Sequence, residues 1–182
     1  WNPKIAYKRI PTQYFDVKSN EKTIQINDKT NAILFGKINL NIGKKNPDYP
    51  ALEMANELLG GGAFLSSRIP QRLRETEGLS YGAGSYVQAN AIDPTSEWGI
   101  YAFYNPTMKD KLTTALNEEI QKAINKGFTK EEFDSSLKSW LQNRQTMLGT
   151  DEFIVRELRE NMDLGQTFKD YEDFETKVKN LD

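Results

Sequence analysis

The chain has 182 residues, 37% of them hydrophobic and 11% aromatic, which suits one domain with a core of its own. A formal net charge of −2 and a pI of about 5.4 speak against a nucleic-acid footprint, and no apolar run approaches the roughly 18 residues of a membrane span. There is no cysteine and no histidine, so disulfides, thiolate metal sites and every device built on imidazole are excluded from this chain. It opens on Trp1 without a secretory-signal pattern, so a processed or excised piece of a longer protein is expected.

Residues 1–20, with Pro3 and Pro11, read as an extended lead-in or linker, and residues 21–182 as a single domain. A hairpin-like pair is expected next. Thr23 to Ile26 alternates polar and apolar, and Asn27 to Asn31 supplies turn chemistry. The stretch Ile33 to Ile42 then alternates at period two, with Leu34, Ile38, Leu40 and Ile42 inward and Lys37, Asn39 and Asn41 outward. Gly36 keeps the inward register without a side chain, which points to close packing. Asn46 to Pro50 opens a helix through Leu59, with Ala51, Leu52, Ala55, Leu58 and Leu59 on its buried side. Gly60 to Gly62 end it, Gly60 in the position of a left-handed cap. A short helix from Ser67 to Glu75 tolerates Pro70 because it falls in the first turn, where backbone donors are free.

Gly78 breaks to a strand over Leu79 to Ala89, and Trp98 to Tyr104 is its expected antiparallel partner. Helices follow. One carries Leu112, Ala115, Leu116, Ile120, Ala123 and Ile124 on a single stripe and stops at Gly127. Thr129 to Glu132 spells a capping box, with Phe128 and Phe133 at the positions of a hydrophobic staple. That helix presents Phe133, Leu137, Trp140, Leu141 and Leu148 until Gly149. Thr150 to Glu152 starts another, with Phe153, Ile154 and Leu158 inward, and a weaker helical stretch runs from Tyr171 to Val178. Strands first and helices later, with a strand pair set between helices, give an α+β fold. The expected architecture is a two-layer α/β sandwich with a mainly antiparallel sheet packed against helices.

One pair of residues carries chemistry. Arg74 and Tyr81 stand seven apart across the turn at Gly78, and both donate hydrogen bonds without giving up protons readily at neutral pH. A cationic donor beside a neutral one suits an oxygen that gains negative charge during reaction. The competing reading is structural: the arginine as a helix-end charge, and Tyr81 as core, since it shares a strand face with Leu79 and Ala83. Gly60-Gly61-Gly62 lacks the Gly-Lys-Ser/Thr ending of a phosphate loop and follows a helix, and Gly82-x-Gly84 lacks a third glycine. Glu118-Glu119 and Glu131-Glu132 diverge as helix neighbours and read as solvated charges or a cap, not a metal site. Arg156 and Arg159 read as partners in surface ion pairs.

The run from Leu59 to Tyr81, through Leu59-Gly60-Gly61, Ser67-Arg68, Leu73-Arg74 and Gly78-Leu79-x-Tyr81, resembles the signature of the non-metal half of the M16 (pitrilysin/insulinase-like) zinc peptidases. Looser similarity reaches from the Ile33–Ile42 strand to Glu132. The resemblance implies that Arg74 and Tyr81 contact a peptide substrate near its scissile bond. It also implies that no cofactor is held by this chain, and that zinc and the general base belong to a partner half bearing His-x-x-Glu-His, covalent or separate. This chain is then inert alone. It implies the periplasm or cell envelope of a Gram-negative bacterium as the compartment. The alternative is a non-catalytic structural or binding module of the same superfamily. Two departures stand out: Pro70 replaces a large apolar residue, and the chain stops at Asp182, where family members continue into a further strand or helix.

Overall fold

The structure, a computed structural model, describes residues 6–62 and 67–181. Its sheet is antiparallel, with β1 (Ala32–Leu40), β2 (Ser80–Ala89) and β3 (Ser96–Tyr104) in the order β1-β3-β2. The strand β3 is therefore central, paired with β1 from Ala32↔Tyr104 to Leu40↔Ser96 and with β2 from Ser80↔Tyr104 to Ala89↔Ser96. The expected partner of β1 was the Thr23–Ile26 segment, and that expectation is wrong. Residues 6–31 form neither helix nor strand, and Ile24 and Ile26 are exposed. Four residues of alternation cannot bury a face, whereas β3 offers β1 a full-length ladder backed by helices. The lead-in is instead pinned by one carboxylate. Asp93 accepts from the Arg9 guanidinium and, at 2.7 Å, from the Thr12 backbone N–H, and the Arg9 hydrogen bond pulls its carboxyl down to about 2.

Helices cover one face of the sheet. They are α1 (Tyr49–Asn56), α2 (Arg68–Pro70), α3 (Lys109–Lys126), α4 (Lys130–Leu148), α5 (Asp151–Leu164) and α6 (Phe168–Lys179). Both α1 and α2 run on into wider π-helical turns, Glu57–Gly61 and Gln71–Thr76. Ala83, Ala102 and Tyr104 of the sheet pack with Leu59, Ile69, Leu73, Leu112, Ala115 and Leu116, with Leu34, Trp98 and Ile100 at the margin. Ile100 fills the space left by Gly36, where a Cβ would sit 3.3 Å from its side chain. Ile38 faces the same side by register, opposite Trp98, but is 54% exposed. The opposite face carries Ile33, Phe35, Tyr86, Tyr101 and Phe103; Ile33 and Phe35 are exposed and the other three half-buried.

A second cluster, Met54, Trp140 and Val178 with Phe133, Leu137, Leu141 and Phe174, joins α1, α4 and α6. The capping box at Thr129 forms as read, and a second one, Thr167 with Asp170, starts α6 three residues before the expected stretch. Phe128 packs against the first cluster and Phe133 against the second. The helices are wetter than their patterns indicate, with Ile124, Leu148 and Leu158 exposed. Arg144 locks α4 to α6. Its guanidinium lies 3.5 Å from the Tyr171 ring centroid and 4.5 Å from that of Trp140, and donates to the Tyr171 carbonyl at 2.9 Å. Glu175 stands 3.6 Å from Nε, near enough for attraction but not for a hydrogen bond.

Glu57 is the strained charge of the helical layer. Burial, with Glu53 one turn away adding repulsion, pushes its carboxyl up to about 7.

Two measurements follow. Replacing Arg144→Ala removes a buried hydrogen bond and a cation–π stack, so denaturant titration should show a loss of about 2 kcal/mol, with Arg144→Lys recovering only part. For Glu57 the native state binds the proton more tightly than the unfolded chain does. The folded protein therefore loses stability as pH rises from about 4.5 through 7. Glu57→Gln should melt like the parent at pH 4 and be more stable by about 2 kcal/mol at pH 8; equal melting curves at pH 8 would refute this.

Candidate functional site

The site is built where the second π-helical turn hands over to β2. The handover is tight. Glu77 N–H bonds to the Arg72 carbonyl at 3.0 Å, Gly78 N–H to that of Arg74 at 3.2 Å, and Leu79 N–H to that of Leu73 at 2.7 Å. Gly78 has φ +61°, a left-handed conformation that a side chain would strain. Arg74 occupies the last turn before this reversal, with its side chain 47% exposed and Nε 3.4 Å from a Glu75 carboxylate oxygen.

Strict alternation would bury Tyr81 with Leu79 and Ala83. It does not, because the ladder slips by one residue: Ser80 pairs with Tyr104 while Gly82 pairs with the next residue, Phe103. Tyr81 is the extra residue of a β-bulge. Leu79 and Ala83 are 7% and 2% exposed, whereas Tyr81 is 63% exposed. Its ring lies on that of Phe103, at 5.6 Å between centroids and 25° between planes, and Phe103 in turn meets Tyr101 edge-on. The core reading of Tyr81 is therefore overturned, and both members of the pair are accessible to solvent at either end of one turn.

The rest of the signature is structural. Gly60 is not a left-handed cap; among the described residues only Gly78, Gly127 and Gly165 have positive φ. It is buried in the π-helical turn against β2, where a Cβ would come within 2.7 Å of the Ser85 backbone nitrogen. A Cβ on Gly61 would lie 2.1 Å from the amide nitrogen of Asn56, whose buried carbonyl oxygen accepts from Ser85 Oγ at 2.8 Å and Trp98 Nε1 at 3.2 Å. These glycines let a helix end press onto a strand edge. Ala63 to Ser66, the middle of the signature, lie outside the described residues.

Arg68 and Arg72 were assigned no role from sequence. Arg68, 8% exposed, grips both oxygens of Glu132 at 2.7 Å, donates to the Gly127 carbonyl at 3.0 Å and covers the Phe128 ring at 4.4 Å. That guanidinium, followed by the capping bonds to Thr129, draws the Glu132 carboxyl down to about 2. Arg72 pairs with Glu77, Glu118 and Glu119, and Glu119 is only 7% exposed. Glu119 is thus a buried bridging charge, whereas Glu118, 56% exposed, keeps its contact with solvent while pairing with Arg72. Arg156 and Arg159 form no ion pair among the described residues, and Arg156 instead covers the Phe153 ring at 5.2 Å. The sequence feature that could have marked Arg68 and Arg72 is their spacing of four, which is the helical spacing that puts two side chains on one face.

The chain has no histidine or cysteine, and among the described residues no three acidic groups are gathered to hold an ion. A surface hollow lined by Thr12, Phe15, Asn39, Asn90 and Glu97 lies at the other end of the sheet, away from Arg74 and Tyr81. Chemically, the site at Gly78 can present two hydrogen-bond donors and an aromatic face to something outside the chain.

No protein of curated function matches this sequence. Solved structures share its fold at low identity. The peptidase M16 inactive domain from Pseudomonas fluorescens superposes with a TM-score of 0.71 at 22% identity, over 85% of this chain and 36% of that one. The periplasmic protease PqqL from Escherichia coli gives 0.61 at 15%, over 85% and 17%. A chain of complex III2 from Candida albicans gives 0.62 at 14%, over 85% and 38%. The chain thus spans little more than a third of the longest-matched of these. The family model described as the Peptidase M16 inactive domain matches residues 1–139. That match runs through the sheet, the glycine-tight helix end and both Arg74 and Tyr81 as far as the middle of α4, and the chain belongs to the Peptidase M16 inactive-domain family.

Proposed function

We propose that this chain is the metal-free half of a zinc metallopeptidase, and that Arg74 and Tyr81 act on the scissile carbonyl of a peptide held between it and a metal-bearing half. The observation that supports this most is the bulge that turns Tyr81 out of the core, leaving a phenol 63% exposed across the Gly78 turn from the Arg74 side chain, itself 47% exposed. A phenol held in the open on an aromatic neighbour is poorly explained by packing, and well explained by a partner that arrives from outside. In this reading the zinc, its ligands and the general base lie in the partner half. The residues of this chain supply what remains: Arg74 and Tyr81 donate to the carbonyl oxygen as its negative charge grows, and the Tyr81 ring gives the peptide a flat surface. This chain alone cuts nothing.

A periplasmic or envelope location in a Gram-negative bacterium accompanies this proposal, supported by the likeness to a periplasmic protease. A second reading, a structural module that closes a chamber without cutting peptides, is supported by the likeness to a chain of complex III2 from Candida albicans. A His-x-x-Glu-His motif in the rest of the protein or in a neighbouring subunit decides between them.

In the complete enzyme, Tyr81→Phe or Arg74→Ala should lower kcat on a quenched fluorescent peptide by about 10²-fold, the loss typical of one oxyanion donor. Full turnover in both variants would end the assignment. So would chelator-sensitive cleavage by this chain alone.

A further inference from the structure

The bulge that exposes Tyr81 has an identifiable cause in a residue so far unassigned. Ser80 is 6% exposed, and its side chain sits in the gap the slipped register leaves in the ladder. Its oxygen accepts from the Gly82 backbone N–H at 3.1 Å. Its single proton is directed at the Phe103 carbonyl at 2.7 Å, with the Gly82 carbonyl alternative at 2.9 Å. One hydroxyl therefore bridges the residue after the tyrosine to the residue whose ring the tyrosine lies on. Without it, a part-buried donor and a part-buried acceptor lose a partner at the point where the two strands are out of step. Sliding the register back by one would restore regular pairing and carry Tyr81 to the inner face with Leu79 and Ala83.

We infer that Ser80 is a positioning residue: its hydroxyl holds the β-bulge open and so presents Tyr81 to substrate. The inference rests on the substrate-contact reading of Tyr81 given above, but its structural half can be tested apart from that reading. Phe103 completes the device, because the same hydroxyl that fixes its carbonyl fixes the strand under the Tyr81 ring.

The test uses the complete enzyme with four variants, Ser80→Ala, Ser80→Thr, Tyr81→Phe and the Ser80→Ala/Tyr81→Phe double, and two readouts. The first is kcat and KM on a quenched peptide. The second is nitration of Tyr81 by tetranitromethane, quantified by mass spectrometry against the 88% exposed Tyr7 as internal standard. Losing the bridge is expected to lower kcat about 10-fold with KM within about 2-fold, and to cut Tyr81 nitration several-fold while Tyr7 is unchanged. Ser80→Thr, which keeps the hydroxyl, is expected to restore both. In the Tyr81→Phe background Ser80→Ala should cost almost nothing more, since both changes remove the same donor.

Unchanged Tyr81 nitration in Ser80→Ala, or losses that simply add in the double variant, would overturn the inference. If Tyr81→Phe itself turns over normally, the substrate-contact reading fails, and the nitration comparison still decides whether Ser80 sets the tyrosine. If Ser80→Ala does not fold, the Thr variant decides: parental nitration and turnover support the bridge, and a folded protein with a protected Tyr81 refutes it.

Discussion

Much of this domain converges on the guanidinium of Arg68. It is fixed from three sides, by both oxygens of Glu132, by the Gly127 carbonyl and by the Phe128 ring. Gly127 ends α3 and Glu132 closes the capping box that begins α4, so one side chain from α2 holds the junction of two long helices. Burying a charge this deeply is tolerable only because the partner is ionised and bidentate, and removing either member strands the other. The π-helical turn that follows α2 is braced in the same manner by Arg72 against α3. What leads to Arg74 and Tyr81 is therefore a rigid support, not a loop.

That support explains the division between silent and exposed parts of the signature. The glycines, Arg68 and Arg72 are consumed in pressing helix ends against the sheet and against each other. Arg74 and Tyr81 are left at the rim, where the chain reverses at Gly78 and re-enters the sheet one residue out of step. In the role proposed above, the domain contributes by presenting these two donors while a partner half carries the remaining chemistry.

Much of the architecture is legible in local patterns. Alternation marks β1 to β3, the capping box at Thr129 marks α4, and Gly78 marks the handover. The errors have distinct physical origins. Thr23 to Ile26 alternates but has no backing layer, and strand pairing is decided by what a ladder can bury, not by proximity in sequence. Gly60 looks like a helix stop, yet it answers to the steric demand of a strand edge that only the folded chain brings near. Glu119 reads as solvated on its own helix, since the arginine that claims it lies 47 residues away. Tyr81 is the instructive case. Period two assigns it to the interior, and a single inserted residue reverses every inference drawn from that period. The signal for such a bulge is faint in one sequence: a small hydroxyl residue before the tyrosine and a glycine after it.

The outward face of the sheet leaves a consequence for handling the domain. β1 is an outermost strand, nine residues long, with Ile33 and Phe35 bare to water. Lys37 is its one cationic guard, and that ammonium is already engaged by Glu97. Such a margin is a ready template for another chain's backbone, so concentrated stocks of the isolated piece are prone to stick to themselves edge to edge. A second lysine in place of Ile33 is the economical remedy, because it charges the rim without touching the helices behind it.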